Sequence, residues 1–468
     1  MRSSRTTALA MAGALSLGLL AACSSNSSSD GDGASASASG DAKVTITVAG
    51  LQPGAEQTAV DALNERVTQF QAKYPNITIK TQEYNWLAST FAADLAGGTL
   101  PTVFEVPATD TKTLIQNGQL ADIDAQVKQL SYANDFNKQV LAAGLSDDGK
   151  VYAVPAKSIY AVALHYNRKL FKDAGLDPDK PPTTWDEVRA DAKTIHEKTG
   201  TPGYAMMALD NAGGWQLTAA AYSRGGRTQV LDGDKYKATL TDPAVKESLQ
   251  FLGDLKKDGS LFENTQLGWG DINGDFAAGQ FAMYTSGSDI YTALVQNNGV
   301  TKDNLDYGLT ALPTSGKNSG TLGGGTYAAV DPKATDAEKD AAVKWIDFWY
   351  LSKLVDQTQA VADAKILAEQ SPPQAVGTPT LPIFSKDQYT TSLGWIKDYV
   401  NVPLDNMKGY TDVMFTQPVI PEAARATQDT YGLLFPIVQA VMTDPSTDID
   451  KLLAAANTQS QTLIDQAG

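Results

Sequence analysis

Hydrophobic and polar positions follow two different periods in the first part of the chain. Val44–Val48 is a β-branched run typical of a strand, and apolar residues recur every three or four positions along Glu56–Tyr74, which predicts a helix. Pro75 ends the helical pattern, and Ile77–Ile79 begins a second strand. A strand, a helix and a strand in direct succession predict a βαβ unit with parallel strands.

Helical and extended patterns keep alternating downstream. A helix is predicted over Trp86–Ala96, ending at Gly97 and Gly98, followed by a strand over Val103–Val106 and a helix over Thr111–Gln116. Regular alternation of strands with helices favours an α/β fold.

The pattern of the sequence changes from Gly149 onwards. Two extended segments precede a short helix over Arg168–Ala174, and Thr184 and Glu187 have the spacing of a capping box at the start of the next helix. Residues 311–325, rich in Pro, Gly and Ser, are predicted to form a loop, and Asp336–Leu351 an amphipathic helix. The tail holds further helices, one of them over residues 450–466.

The N-terminal segment has the composition of an export signal. Arg2 and Arg5 precede an apolar run over residues 7–22, which is too short for a comfortable membrane-spanning helix. The tetrapeptide Leu20-Ala21-Ala22-Cys23 resembles the lipobox of bacterial lipoproteins, in which the cysteine is lipidated after cleavage before it. We therefore expect residues 1–22 to be a lipoprotein signal peptide and Cys23 to be a lipid anchor on the extracellular face of the cell membrane. An ordinary secretory signal with an incidental cysteine is the alternative.

Length and composition predict how the chain after the signal peptide is divided. Ser, Gly and Ala dominate up to residue 42, so residues 23–42 are predicted to be the lipidated cysteine and a flexible tether. The domain over 43–468 is longer than one core usually organises, which predicts two lobes. Cys23 is the only cysteine, so no internal disulfide can form.

The charge balance argues against a nucleic-acid partner. The chain carries 37 Lys and Arg against 53 Asp and Glu, a formal net charge of −16. Such a surface repels phosphate backbones, and no basic run offsets it.

Three local motifs resemble chemical sites but lack essential residues. Residues 144–150 match GxxxxGK, yet Val151 stands where a phosphate loop needs Ser or Thr. Residues 271–275 open like a calcium loop that the following residues do not complete, and His165 and His196 are too far apart for a local zinc motif. We therefore expect no metal and no cofactor. A carboxylate pair of the kind that hydrolyses glycosides stays open.

An ordered set of short segments resembles the family 1 extracellular solute-binding proteins, the sugar-capturing lipoproteins of ABC importers. The segments that carry the resemblance are Leu100–Phe104, Asn117–Leu120, Gly149–Pro155, His165–Phe171, Ala174–Leu176, Pro182, Thr184–Glu187, Phe276–Met283, Leu312–Pro313 and Gly323–Gly325. Together they span nearly the whole predicted mature chain, and the one departure noted is Thr102, where the family often carries Asp.

This resemblance implies a two-lobe, type II periplasmic-binding-protein-like α/β fold similar in plan to maltose-binding proteins. Lobe 1 would comprise about 43–155 with 311–365, and lobe 2 about 156–310 with 366–468, joined by a hinge with a ligand cleft between them. Lobes of this kind close around a ligand. The implied partners are a small sugar ligand, an oligosaccharide or a glycoside, and the permease subunits of an ABC importer. We expect a monomer held at the membrane by its lipid anchor.

Two other functions stay open. One is a lipid-anchored extracellular carbohydrate-active enzyme, although the resemblance favours a protein that is not an enzyme. The other is a binding protein for a solute that is not a sugar. A strongly anionic solute would need arginines in the cleft loops, where Arg224, Arg227 and Arg425 are the only candidates.

Tryptophans are candidate walls for a sugar, because a sugar ring presents apolar C–H faces to aromatic rings. Trp345 and Trp349 lie at helical spacing, which predicts core packing, and Trp185 at a helix entry is expected to be structural. Four others follow glycine or polar turn-forming residues and are predicted to lie on loops that flank the cleft: Trp86, Trp215, Trp269 and Trp395.

The resemblance adds polar positions to the predicted site. Family cleft loops correspond here to Gln52, to Asn85 beside Trp86, to Thr109 and Asp110, to Tyr160, to Ser286 and Asp289, and to Gly324, Gly325 and Thr326. Asp110 and Asp289 are the favoured acceptors, since a carboxylate accepts two sugar hydroxyl hydrogen bonds.

Overall fold

The computed structural model describes residues 43–55 and 57–467. The predicted signal peptide, the tether and Cys23 lie outside the described residues. The strands are β1 Val44–Leu51, β2 Ile77–Glu83, β3 Val103–Pro107, β4 Ala153–Asn167, β5 Gln229–Asp232, β6 Lys235–Ala238, β7 Met283–Gly287, β8 Tyr307–Ala311, β9 Thr321–Val330 and β10 Val419–Pro421.

The other regular elements of the described residues are helices. The α-helices are α1 Gln57–Lys73, α2 Ala88–Gly97, α3 Ala108–Gln116, α4 Asp124–Val127, α5 Lys138–Leu141, α6 Arg168–Asp173, α7 Trp185–Thr199, α8 Asp210–Ser223, α9 Pro243–Lys257, α10 Trp269–Ala277, α11 Ile290–Asn298, α12 Asp336–Ile346, α13 Ser352–Val355, α14 Gln357–Glu369, α15 Lys386–Trp395, α16 Lys408–Thr411, α17 Thr427–Thr443 and α18 Ile449–Gln466. Short 3-10 helices cover Ala142–Gly144 and Leu404–Met407, and a π-helix covers Asp347–Leu351.

The strands form one large mixed sheet and a separate hairpin. Strand order in the large sheet is β2-β1-β3-β9-β4-β7, with β10 also beside β9 and β8 also beside β4. The predicted βαβ unit is confirmed, because β1 and β2 pair in parallel with Val44 opposite Ile77. Strands β3 and β4 both run antiparallel to β9. The α/β class predicted from the alternating pattern is therefore confirmed, with a sheet that is mixed in direction.

Strands β4 and β9 are the longest in the sheet, and their pairing is interrupted midway. The register of β4 on β9 shifts between Pro155 and Lys157 and again between Lys157 and Tyr160. Ser158 has φ of 47° and Gly325, opposite this segment, has φ of 146°. A Cβ at Gly325 would lie 2.8 Å from the Ser158 carbonyl oxygen, so only glycine fits there without a shift. The two predicted extended segments are thus one strand with an irregular centre.

The predicted loop over 311–325 is wrong in its last five residues. β9 begins at Thr321, and its glycines are strand residues that allow close approach of neighbouring backbone and side chains. A Cβ at Gly323 would lie 2.3 Å from Cγ1 of Val419 on β10. Glycine content was therefore misread as a turn signal.

Aromatic packing anchors one side of the core. Trp345 on α12 is fully buried, with its ring centroid 5.2 Å from that of Phe70 and 5.5 Å from that of Trp349. The predicted helix over 336–351 is α-helical only to Ile346 and continues as the π-helix. The predicted capping box is confirmed, because the Thr184 hydroxyl accepts a hydrogen bond from the Glu187 backbone N–H.

Two of the incomplete motifs adopt ordinary secondary structure. Residues 146–150 form a turn in which the Ser146 backbone N–H donates to the Lys150 carbonyl, and residues 271–275 lie within α10. In the part of the chain that the structure describes, no three His, Cys, Asp or Glu side chains are grouped closely enough to hold a metal ion. Over the same residues, none of the helices combines the length and the apolar character needed to span a membrane.

Candidate functional site

A cavity of about 450 Å³ lies against the irregular centre of β4 and β9. Its floor includes Ser158 and Tyr160 from β4 and Gly325 and Thr326 from β9. The complete lining is Pro107, Ala108, Thr109, Ser158, Tyr160, Met207, Asn211, Ala212, Trp215, Trp269, Gly287, Asp289, Ile290, Gly325, Thr326, Glu422, Gln428 and Tyr431. We call this volume the central cavity.

Four aromatic side chains form walls of the central cavity. The rings of Tyr160 and Trp215 meet edge to face with centroids 5.9 Å apart. Trp269 is the first residue of α10 and is 47% exposed, and Tyr431 comes from α17. The exposed Trp269 indole and the partly covered Tyr160 and Trp215 rings can stack on the C–H faces of a sugar, whereas Tyr431 is 2% exposed and has no free face.

Helix packing explains how Trp215 reaches the cavity. Trp215 lies inside α8 rather than on the predicted loop, and Gly213 and Gly214 before it are buried helix residues. A Cβ at Gly214 would lie 2.3 Å from the Tyr431 carbonyl oxygen, so glycine allows α8 and α17 to approach closely. This approach brings Trp215 and Tyr431 together on the lining.

Carboxyl groups supply the charged part of the site. Glu422 Oε1 accepts a hydrogen bond of 3.0 Å from the Tyr431 hydroxyl. Burial and the nearby charge of Asp110 raise the pKa of Glu422 to about 7, although hydrogen bonds from Tyr431 and Trp215 oppose the shift. Burial also raises the pKa of Asp289, which lines the cavity, and of Asp110, where a hydrogen bond from Thr109 opposes it.

The cationic side chains proposed for an anionic ligand lie on other surfaces. The lining contains no Lys, Arg or His. The Arg224 guanidinium lies 4.2 Å from the Trp185 ring centroid, and those of Arg227 and Arg425 lie over Tyr222 and Tyr236. These arginines are engaged in packing and do not line the central cavity.

Seven residues of the predicted site line the central cavity: Thr109, Tyr160, Trp215, Trp269, Asp289, Gly325 and Thr326. Asp110 does not line it, but adjoins Thr109, whose hydroxyl donates a hydrogen bond to its carboxylate. Gly324 is next to this lining on β9, where a Cβ would meet the Tyr160 hydroxyl at 2.6 Å.

The other predicted residues lie elsewhere. Gln52 and Asn85 line a separate cavity of about 470 Å³ formed by the segments after β1 and β2. Trp86 packs near Phe91, with ring centroids 6.3 Å apart, and Ser286 is fully buried within β7. Trp395 ends α15, so its prediction as a loop residue is wrong.

Several lining residues were missed by sequence reasoning. Met207, Asn211, Glu422, Gln428 and Tyr431 belong to no recognised motif, and the last three come from the C-terminal part of the chain. They reach the cavity because α17 packs on α8 and because β10, just before Glu422, pairs with β9. Their place on the lining is visible only in the tertiary packing. The one sequence signal is the pair of glycines in α8, which indicates that another helix approaches closely there.

A third cavity of about 350 Å³ also reaches the irregular part of β4, through Ala156–Ile159. Its remaining lining comes largely from α14, α15 and residues 375–384, and is dominated by Ala, Leu, Val and Ile side chains. Ser158 lines both this cavity and the central cavity. The third cavity has no tryptophan on its lining, and its aromatic side chains are Tyr350, Phe384 and Tyr389.

The chain is similar to known proteins over most of its length. Residues 65–367 match the family model of the bacterial extracellular solute-binding proteins. A glycerol-3-phosphate-binding periplasmic protein of Yersinia pestis is 26% identical over 298 residues, and a diacetylchitobiose-binding protein of Streptomyces coelicolor is 30% identical over 272 residues. These alignments cover 60% and 56% of this chain and 65% and 60% of the relatives, so the chain matches less than two thirds of either relative's length.

Solved structures share the fold at low sequence identity. The cyclic α-maltosyl-1,6-maltose-binding protein of Arthrobacter globiformis has a TM-score of 0.68 at 22% identity, covering 91% of this chain and 100% of that one. The sugar-binding protein MalE of Xanthomonas citri has a TM-score of 0.68 at 16% identity, covering 90% of this chain and 98% of that one. The predicted two-lobe binding-protein fold is therefore confirmed as the fold class, while the lobe boundaries stay predictions.

Proposed function

Because the chain belongs to the bacterial extracellular solute-binding protein family, we propose that it captures a sugar in the central cavity for an ABC importer. The ligand is an oligosaccharide or a glycoside, and the partners that receive it are the permease subunits of the importer. The observation that carries the proposal is the aromatic wall of the central cavity, formed by Tyr160, Trp215 and Trp269. Asn211, Gln428, Thr109 and Thr326 add the short polar groups that bind sugar hydroxyls.

Lobe closure around the sugar follows from the position of the cavity. The central cavity lies where the β4–β9 pairing is irregular, and Ser158 and Gly325 have unusual backbone angles there. A hinge between two lobes needs only a few residues whose backbone angles can change when the lobes move. We infer that Ser158–Tyr160 and Gly324–Thr326 form this hinge between the two lobes, which leaves the predicted lobe boundaries to be tested by an open and a closed structure.

A phosphate-bearing solute fits the central cavity poorly. The glycerol-3-phosphate-binding relative would suggest such a ligand, but Asp289 and Glu422 line the cavity and no Lys or Arg does. An anionic group there would meet like charge without a counter-ion. A neutral or positively charged sugar is therefore favoured over a sugar phosphate.

The test of the proposed function is a ligand screen on the purified domain over residues 43–468. Neutral oligosaccharides, amino sugars and sugar phosphates are screened by thermal shift, and hits are titrated by calorimetry. Binding of a sugar raises the unfolding temperature because the ligand stabilises only the folded state. Chromatography of each mixture after long incubation checks for cleavage. Cleaved glycan would favour the carbohydrate-active enzyme, and binding of sugar phosphates alone would overturn the sugar proposal.

Attachment to the membrane through Cys23 is a separate proposal. It is supported by the lipobox-like Leu20–Cys23 and by the Ser/Gly-rich tether that follows it. Changing Cys23→Ser is expected to release the protein from the membrane fraction or leave it uncleaved, with its ligand affinity unchanged. A Ser variant that is cleaved before residue 23 and still sediments with membranes would contradict lipid anchoring.

A further inference from the structure

The carboxyl groups around the central cavity have no cationic partner. None of the salt bridges formed within residues 43–55 and 57–467 includes Asp110, Asp289 or Glu422. Burial raises the pKa of Asp289, and the only interaction that opposes this shift comes from its own backbone N–H. By contrast, the carboxylate of Glu105 on the same sheet forms a salt bridge with the Lys157 ammonium at 2.7 Å.

The groups that face these carboxyls from neighbouring elements are acidic or uncharged. Glu422 faces Asp110 on α3 and the hydroxyls of Tyr160, Tyr222 and Tyr431 from β4, α8 and α17. Asp289 faces hydroxyls of Tyr160, Tyr307 and Tyr410 from β4, β8 and α16. The protein thus places carboxyl groups around a binding cavity without supplying a counter-charge.

Unpaired carboxylates in a partly dehydrated cavity are unfavourable unless something neutralises them. A buried carboxyl either takes up a proton or pairs with a cation, and burial together with the charge of Asp110 raises the pKa of Glu422, which favours the first. A cationic ligand would provide the second. The indoles of Trp215 and Trp269 add a further attraction, because a cation over an aromatic face is stabilised by the ring quadrupole.

We propose that the ligand is an amine-bearing sugar, whose ammonium group pairs with Glu422 while its ring stacks on Trp215 or Trp269, with Asp289 as a further acidic group on the lining. This rests on the proposed function, since it assigns a chemical class to the sugar bound in the central cavity. The ammonium donates charge-assisted hydrogen bonds to the carboxylates, which are stronger than those that a hydroxyl donates. A matched sugar with a hydroxyl in place of the amine keeps the stacking and loses the charge pairing.

Matched ligands test the proposal by calorimetry on the domain over 43–468. The probes are glucosamine oligosaccharides with free amines, the corresponding N-acetylated oligosaccharides and the corresponding glucose oligosaccharides, each of two to four units. Near pH 7, where a large part of the amines is protonated and Glu422, whose pKa is raised to about 7, is partly ionised, the free-amine series is expected to bind at least about tenfold more tightly than the two neutral series. Added salt is expected to weaken only the free-amine series.

Two variants test whether Glu422 is the source of the preference for an amine. Glu422→Gln removes the charge and keeps the side-chain shape, so it is expected to reduce the advantage of the amine about tenfold while binding of any neutral sugar changes little. Glu197→Gln makes the same change on an exposed residue of α7 and is expected to leave both affinities unchanged. Thermal unfolding of each ligand-free variant checks that the fold is retained.

The outcomes distinguish the proposed preference for an amine from the proposed sugar binding on which it rests. Neutral sugars that bind as tightly as their amine counterparts would overturn the amine proposal and leave a sugar-binding protein. An amine preference that survives Glu422→Gln and Asp289→Asn would overturn the assignment of these carboxyls. Failure of every sugar in the wider screen, together with the glucosamine series, would overturn both.

Discussion

Two groups of tryptophans occupy opposite environments in this molecule. Trp345 is 0% exposed and packs against Phe70 and Trp349 beneath the sheet, whereas Trp269 is 47% exposed on the lining of the central cavity. The first indole is surrounded by the protein's own aromatic rings. The second has a free face beside a concave volume. The same side chain can therefore stabilise the fold in one place and be available to a ligand in another.

Sequence spacing separates the two groups only in part. Helical spacing placed Trp345 in the core because α12 has one buried face. The glycines before Trp215 predict a loop, yet Gly213 and Gly214 are inside α8, where they permit contact with α17. A glycine before an aromatic residue thus indicates either a turn or a close helix crossing, and only packing decides between them.

The largest expected effect comes from the core group. Replacing Trp345→Ala removes a fully buried indole and leaves a cavity, which is expected to lower the free energy of unfolding by about 3–5 kcal/mol. Chemical denaturation of the domain over 43–468 measures this change. The affinity of the folded fraction for ligand is expected to stay the same, and a stable variant with weakened binding would contradict the division between the two groups.

The second largest loss of stability is expected from a substitution at the contact between α8 and α17, next to Trp215. Gly214→Ala places a Cβ 2.3 Å from the Tyr431 carbonyl oxygen, so α8 and α17 must separate, at a cost of about 1–3 kcal/mol in stability. Binding should weaken as well, because both helices line the central cavity.

Gly253 on α9 provides a matched control for this substitution. The nearest atom to a Cβ there is Cγ1 of Val441 at 3.6 Å, an ordinary contact. Gly253→Ala is therefore expected to be neutral or slightly stabilising, since alanine favours a helix interior. Equal effects of the two substitutions on denaturation and on calorimetric affinity would show that the α8–α17 approach is not special.

The carboxyl groups of the cavity should make stability depend on pH. Because the pKa of Glu422 is raised from 4.5 to about 7, the folded state binds more protons than the unfolded state between these values. The free energy of unfolding is therefore expected to fall as pH rises through this window, by on the order of 3 kcal/mol from this group. Burial raises the pKa of Asp289 and Asp110 in the same direction.

Denaturation at a series of pH values, with Glu422→Gln beside the unchanged protein, isolates that contribution. The variant is expected to show a flatter profile. Identical profiles for the two proteins would mean that Glu422 is not desolvated as its surroundings suggest.

The sequence predicts the local architecture better than the site. Regular spacing and a proline defined the unit from Val44 to Ile79, and the ordered motifs predicted a family that the match over 65–367 confirms. The site depends instead on contacts between distant segments. Glu422 follows the short strand β10 beside β9, and no local pattern marks it as a neighbour of Asp110. The resemblance supplied Asp289, Gly325 and Thr326, but it also suggested Gln52 and Asn85, which line a different cavity.

The most direct test of the central claim compares two tryptophans by calorimetric titration of the sugar found in the screen. Trp269→Ala removes an exposed wall of the central cavity and is expected to weaken binding about tenfold, equivalent to ~1.4 kcal/mol, with little change in unfolding temperature. Trp395→Ala alters an indole at the end of α15 that lines none of the three cavities described above, and is expected to leave the affinity unchanged. Native affinity in the Trp269 variant, or a loss confined to the Trp395 variant, would contradict the central cavity as the ligand site.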